Sequence, residues 1–350
     1  MTLKYQEKDG LRYVMQQKEA SGEKDQFPSH IPSGANSFTE LFYNIESTLN
    51  TKIHPHVVAA AAAHGAGLLN DHGVDHVAMV IERAGAILGE KAGELSALEI
   101  FFLLLAIHFH DVGNLYGREQ HEEKIEEVLD MLGESFPLDT VSQGVVMAIA
   151  MSHGGYHEGD KDTIAYLNEI DYIEGMKIRS SLLASILRFA DEIADDKNRS
   201  SQLLSEGDVI PDANRIFHEY SSSLEPPVIE GDTLRLTYYI PFKYANEKIT
   251  KNDTQVYLYD EILSRMQKCL CELDYCKRYS QGFIRLSCIS VHIAVLSEKR
   301  RKSVYKDDFR LKLRGYPSLD SYNPLNSCMG NTIKIENGEA LAKHIGGKNE

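Results

Sequence analysis

From Ser37 to Asn198, apolar residues recur at three- and four-residue intervals in successive blocks: SFTELFYNIESTL, HPHVVAAAAAHGAGLL, HVAMVIERAGAIL, LSALEIFFLLLAIHFHD, REQHEEKIEEVLDML, DTVSQGVVMAIAMSH and IRSSLLASILRFADEIAD. That period is the mark of amphipathic helices, and glycine or polar turns separate the blocks. The pattern predicts an all-helical domain over 37–200. One block, LEIFFLLLAI, is apolar nearly all round and therefore predicts a central helix. Residues that follow its C-terminal end are held on a rigid support.

The period then changes. Leu234, Leu236, Tyr238 and Ile240 alternate with polar or smaller neighbours, as in a half-buried strand. A helical stretch over 253–279 and the strand-like run FIRLSCISVHIAVL complete a β-α-β unit. The fold class expected is mainly α: a helical bundle followed by a smaller C-terminal α+β domain at 224–300. Residues 1–36, polar and broken by Gly, Ser and Pro, read as an arm or tail. Residues 201–223 read as a linker, and 301–350 as an irregular basic segment and tail. No internal repeat has a solenoid period.

Composition leaves this division standing. With 43% hydrophobic and 25% charged residues among 350, the chain is ordinary for a globular protein of about two domains. The formal charge of −15 disfavours a general nucleic-acid or anionic-membrane binder. It is also localised: 25 acidic and 10 basic residues lie between Asn70 and Ser200, so the rest of the chain is neutral. No uninterrupted apolar run reaches the roughly 18 residues of a membrane span, and the N-terminus lacks a secretory signal pattern. The expectation is a cytoplasmic protein with no membrane partner. Five cysteines, all in the last third, form no disulfide framework. The spacing in CLCELDYC has no matching second ligand pair, so core-lining thiols are expected.

Ten of the 14 histidines lie between His54 and His157, inside or beside the acidic segment. The residues that stand out are His76 in DHGVDHV, the pair His110 and Asp111 in HFHDVGN, and Asp191 in LRFADEI. Imidazole nitrogen and carboxylate oxygen together suit a borderline-hard divalent cation, and four such side chains leave positions open for water and substrate oxygen. His108 and His110 are two residues apart, about 200° around a helix, so they cannot both face one site. His72 and His76 can share a face. His54, His56 and His64 read as packing or surface residues; Asp195, four residues after Asp191, reads as a surface carboxylate or as a group that orients Asp191 or a bound water, and Arg199 is open in the same way.

This ordered set, a His, a His-Asp pair and a distal Asp on successive helices over about 70–200, resembles the HD superfamily of metal-dependent phosphohydrolases. DHGVDH, HDVGN and LRFADEI with DDKNR look most like the branch associated with Hsp90-like ATPases, and the region is also similar to the C-terminal helical domain of exopolyphosphatases. The resemblance implies that His76, His110, Asp111 and Asp191 hold a first metal ion. His121 in REQHEEK and His153 in MSHGGYHEG would then serve a second ion or contact phosphate. The extended signature of the cyclic-diguanylate-cleaving branch is absent after His153.

The implied activity is hydrolysis of a phosphoester in a nucleotide or related small phosphorylated compound, with His110 and Asp111 as catalytic residues and Asp111 bridging in a two-metal version. Manganese, iron, nickel, magnesium or zinc would suit the ligands, one or two per chain. Arg118, Lys124 or Arg188 could assist by hydrogen bonding to phosphate. The alternatives are an HD-type sensor or regulatory module acting on a partner such as an ATPase, and a nuclease. The latter draws only on the segment 298–314, which holds eight basic and three acidic residues and otherwise reads as a solvated face.

Overall fold

The computed structural model describes residues 10–22, 34–63, 73–117, 121–197, 212–251, 254–297, 302–313 and 334–346. They fall into two units: residues up to 191 with Cys276–Ile284, and Glu192–Tyr275 with the chain from Arg285 onward.

The first unit is helical. Its elements are α1 (Gly10–Ala20), α2 (Phe38–Lys52), α3 (His54–Ala63), α4 (Val74–Leu88), α5 (Ala97–Phe109), α6 (Ile125–Leu132), α7 (Thr140–Met151) and α8 (Ser180–Glu192). A small hairpin of β1 (Asp171–Ile173) and β2 (Met176–Ile178) precedes α8. Helix α5 is the core, with every one of its side chains buried. Helices α1, α2, α4 and α7 pack on it.

The stretch Ala97–Tyr116 is long and apolar enough to cross a membrane, which the count of uninterrupted apolar residues missed. It includes His108, His110 and two acidic residues, and 94% of its most apolar window is buried in the protein.

Residues 10–20 correct the expectation of an N-terminal arm. Leu11, Val14 and Met15 sit on one face at helical spacing and are fully or almost fully buried. The buried carboxylate of Glu19 accepts hydrogen bonds from the backbone amides of Phe38 and Thr39 and from the Thr39 hydroxyl. It thereby satisfies orphan donors at the start of α2. The short polar flanks at 1–9 and 21–36 outweighed one eleven-residue amphipathic stretch in the sequence reading.

Two buried polar groups fix the start of α5 and of α8. Ser96 and Glu99 form a capping box, in which the Ser96 hydroxyl accepts from the Glu99 amide and Glu99 Oε2 accepts from the Ser96 amide. The same Glu99 carboxylate takes a bidentate pair from Arg179 at 2.7 Å on each oxygen, plus the Arg179 amide. Because Arg179 immediately precedes α8, one carboxylate ties the first turns of both helices together.

In the second unit, β3 (Val228–Glu230), β4 (Thr233–Pro241), β7 (Cys288–Leu296) and β8 (Ser303–Lys312) form a sheet in the order β3-β4-β7-β8. Strand β4 pairs with β7 in parallel through the crossover helix α11 (Leu258–Tyr279), so the β-α-β unit read from the sequence is present. Between β4 and α11 lie α10 (Phe242–Asn246) and a hairpin of β5 (Lys248–Lys251) and β6 (Thr254–Tyr257).

Two boundaries change. Within the expected linker, Asp212–Ser223 is a helix, α9, that packs on β5 and β4. The expected irregular tail contains the edge strand β8 and the helix α12 (Gly338–Ile345). In β8, Tyr305, Asp307, Phe309 and Leu311 are buried while Lys306, Asp308, Arg310 and Lys312 face outward. The part of the basic run that lies in β8 is thus the polar half of an alternating strand, and its charges masked that alternation. Cys269 and Cys276 are buried on α11, and Cys288 is buried on β7. Cys328 lies outside the described residues.

Substituting Glu99 with alanine would leave the Arg179 guanidinium and the Ser96 amide without their buried acceptor. The expected cost is about 3 kcal/mol of stability, read as a lowered midpoint of thermal unfolding. A change within half a kcal/mol would mean that the pair does not tie these helices.

Candidate metal centre

His76 occupies the first turn of α4, where Gly73 precedes the helix. His110 caps the C-terminal end of α5, and Asp111 follows in a sharper conformation (φ −110°, ψ 1°) that leads into a 3-10 turn at Val112–Tyr116. Asp191 lies in the last turn of α8. The structure brings these four together although the chain separates them. His76 Nε2 is 3.2 Å from His110 Nε2, 3.5 Å from Asp111 Oδ2 and 3.2 Å from Asp191 Oδ1. His110 Nε2 is 3.3 Å from Asp111 Oδ2 and 3.6 Å from Asp191 Oδ1. His76 and His110 are almost completely buried.

The second pair of histidines faces the other oxygen of the same carboxylate. His121, in a 3-10 turn ahead of α6, places Nε2 3.1 Å from Asp111 Oδ1, and His153, just past the end of α7, places Nε2 3.9 Å from it. Thus His76, His110 and Asp111 form one group able to hold a metal ion, and Asp111, His121 and His153 form another.

The donor chemistry fits a cation. Nδ1 of His110 lies 2.7 Å from the Ile107 carbonyl and Nδ1 of His153 lies 2.6 Å from the Ala150 carbonyl. A carbonyl can only accept, so each Nδ1 carries the hydrogen and each Nε2 in the neutral ring keeps its lone pair toward the centre. Asn114 Nδ2 donates to Asp111 Oδ1 at 3.0 Å and fixes that carboxylate's rotation.

The electrostatics agree. Burial opposes a charge on His110, but the carboxylates of Asp111 and Asp191 outweigh it and hold His110 well above the ordinary histidine range. Burial likewise opposes ionisation of Asp191, yet the imidazoles of His110 and His76 hold its carboxyl well below the usual range. Burial, with His110 nearby, pushes His153 down to about 4.

Of the other residues singled out in the sequence, His108 turns away as the helix geometry requires. Its Nε2 meets Glu46 at 3.2 Å and its Nδ1 meets His54 at 3.2 Å. His54 is therefore a buried packing residue, and burial lowers it to about 3; His56 is exposed. Lys124 pairs with Glu127 at 2.8 Å on the surface. Arg188 is buried and donates to Thr163 Oγ1 at 3.0 Å. Asp195 accepts from Ser221 at 2.6 Å and pairs with Arg265 at 3.3 Å, which makes it a structural group rather than a surface one. His64, His72, Arg118 and Arg199 lie outside the described residues.

Three positions escaped the sequence reading. Asn114 stands three residues after Asp111, the spacing of a helical turn, and that was a usable signal. Gly113 is needed because a Cβ there would lie 1.8 Å from the His121 carbonyl oxygen. Glu122, 3.3 Å from His121 Nδ1, reaches the glycine pair after His153.

A helical unit that gathers a His, a His-Asp pair and a distal Asp around one point is an HD-type domain with a candidate metal centre. Residues 66–268, more than half of the chain, match the HD-CE family, and the protein belongs to that family. No curated protein and no solved structure matches the chain.

With excess manganese, the wild-type protein is expected to take up about two equivalents of metal. Gly113→Ala, which must push the His121 segment away, is expected to retain about one. Elemental analysis of the dialysed proteins reads this directly, and equal uptake by the two would dissociate His121 from metal binding.

Proposed function

We propose that this protein is a metal-dependent phosphohydrolase that cleaves a phosphoester of a small phosphorylated compound. The observation that carries the reading is the Asp111 carboxylate, whose two oxygens face two different histidine pairs, Oδ2 toward His76 and His110 and Oδ1 toward His121 and His153. One carboxylate shared in this way, with Asp191 completing the first group, would serve as a ligand set for two divalent cations. Manganese, iron, nickel, magnesium and zinc all accept such donors. Bound there, a divalent cation would polarise a phosphoryl oxygen and lower the pKa of water.

The chain's own residues supply position and charge. Asn114 holds the Asp111 carboxylate, and the Ile107 and Ala150 carbonyls orient the His110 and His153 rings. The burial of His76, His110 and His153 keeps bulk water from competing for the Nε2 atoms. Membership of the HD-CE family and the resemblance of the motif order to HD phosphohydrolases support the same reaction class.

The test is turnover by purified, manganese-loaded protein against nucleotides, simple phosphomonoesters, cyclic dinucleotides and single-stranded nucleic acid. Hydrolysis of at least one small phosphoester is expected, lost with chelator and restored by manganese. Asp111→Asn keeps the volume of the side chain but loses the shared negative charge. Its turnover is expected to fall by at least about a hundredfold, with the fold retained by circular dichroism. Asp195→Asn is expected to stay within a few-fold of wild type. Full activity in Asp111→Asn at unchanged metal content would place the chemistry elsewhere.

A further inference from the structure

Next to His121 the helical unit opens into a cavity of about 540 Å³, within the roughly 300–1,000 Å³ of small-molecule sites. His121 belongs both to its wall and, through Nε2, to the Asp111 group. The cavity therefore adjoins the candidate metal centre, with the His121 ring between them.

Its far wall is aromatic, built by the segment that follows His153. Tyr156 is 65% exposed and Tyr166 50% exposed, although both are large side chains with apolar faces. The His157 ring lies 4.2 Å from that of Tyr166. A tight reversal holds these rings in place: His157 and Asp160 exchange both backbone hydrogen bonds at 2.8 Å, while Glu158 and Gly159 take φ of 50° and 83°. Two successive positive φ values are the mark of a type I′ turn. Before it, the chain passes so close to Glu122 that a Cβ on Gly154 would lie 2.9 Å from the carboxylate. Ala148, Met151 and Leu167 add apolar lining.

The charged residues of the lining are acidic, and Lys161 stands beside the aromatic wall with its Nζ 5.8 Å from the centre of the Tyr156 ring. Among the described residues no lysine or arginine lines the cavity, whereas Glu122 and Glu123 do. A second phosphate or a chain of phosphates would meet like charge there. A neutral aromatic ring would instead stack on the tyrosines, and ring N–H groups would find carboxylate acceptors.

We propose that this cavity is the subsite for the base of a nucleoside phosphoester, with the base against Tyr156 and Tyr166 and the scissile phosphate toward His121 and Asp111. The proposal rests on the phosphohydrolase reading for the position of the phosphate, but the binding of the base does not depend on turnover. It separates nucleotides from sugar phosphates, which lack a ring to stack, and from polyphosphate, whose neighbouring charges the glutamates repel.

The experiment measures binding of adenosine, guanosine, cytidine and uridine, with ribose as the comparison, to the full chain by saturation-transfer NMR and equilibrium dialysis. The same preparations are assayed for hydrolysis of the matching nucleoside monophosphates and of ribose 5-phosphate. At least one nucleoside is expected to bind where ribose does not. Tyr166→Ala should weaken that binding about tenfold, and Tyr166→Phe, which keeps the ring, should preserve it. In hydrolysis the alanine variant should raise KM for the nucleotide, and Tyr166→Phe should not.

Nucleosides that bind no better than ribose, or binding indifferent to Tyr166→Ala, would overturn the subsite even if phosphoesters are cleaved. Nucleoside binding that requires the Tyr166 ring would support the subsite even if no phosphoester is cleaved, and in that case the hydrolase reading alone would fall.

Discussion

The geometry of the centre depends on a constraint twelve residues away from it. Glu99, which is buried, and Arg179, which is half-buried, are joined by a bidentate ion pair at the starts of α5 and α8. Asp111 and Asp191 each lie twelve residues farther along. At a rise of about 1.5 Å per residue, two helices that leave from a common clamp stay in register over roughly 18 Å. Their C-terminal ends therefore present His110, Asp111 and Asp191 at the same level. A shift of either helix by one residue would turn its ligand about 100° away. Since α5 is buried on every side, such a shift would also cost the packing of the whole unit.

What this clamp does for the first ligand group, a glycine does for the second. Asp111 can offer its two oxygens to different partners only if His121 approaches from the side opposite His76. The approach passes directly over Gly113, whose missing side chain leaves room for the His121 carbonyl. The short HDVGN run thus holds two candidate ligands, the residue that fixes the rotation of one of them, and the gap that admits His121. Four of its five residues act on the centre, and Val112 is buried.

The helical unit was legible because its signal is long: helices of 8–15 residues with apolar spacing at three and four, and one run apolar all round. The residues of the two candidate groups stood out in the sequence because a His, a His-Asp pair and a distal Asp fall in order on successive helices, and the structure brings them together. Short elements were not. Helix α1 has polar neighbours on both sides, and α9 and β8 carry charges on their outer faces that conceal half-apolar patterns. At the centre, His121 and His153 could be singled out by residue type, but not Gly113, because its role is set by a through-space contact with another segment. Tyr156 and Tyr166 gave no periodic signal, since their exposure follows from a two-residue turn rather than from a helix face.

The charge of the chain shows why composition alone could not have found the site. Of the 25 acidic residues between Asn70 and Ser200, Asp111 and Asp191 are those that face the imidazoles of His76 and His110 among the described residues. Others, such as Glu123, Asp130 and Glu134, lie on solvent-facing surfaces. The two at the centre differ in being surrounded by imidazole within a buried space. Burial opposes a positive charge there, but the carboxylates of Asp111 and Asp191 outweigh it and hold the His110 ring above its ordinary range. A divalent cation would compensate the same two charges and leave every Nε2 lone pair in use. The pull of the carboxylates on a proton and the fitness of the site for a metal ion are therefore one electrostatic fact.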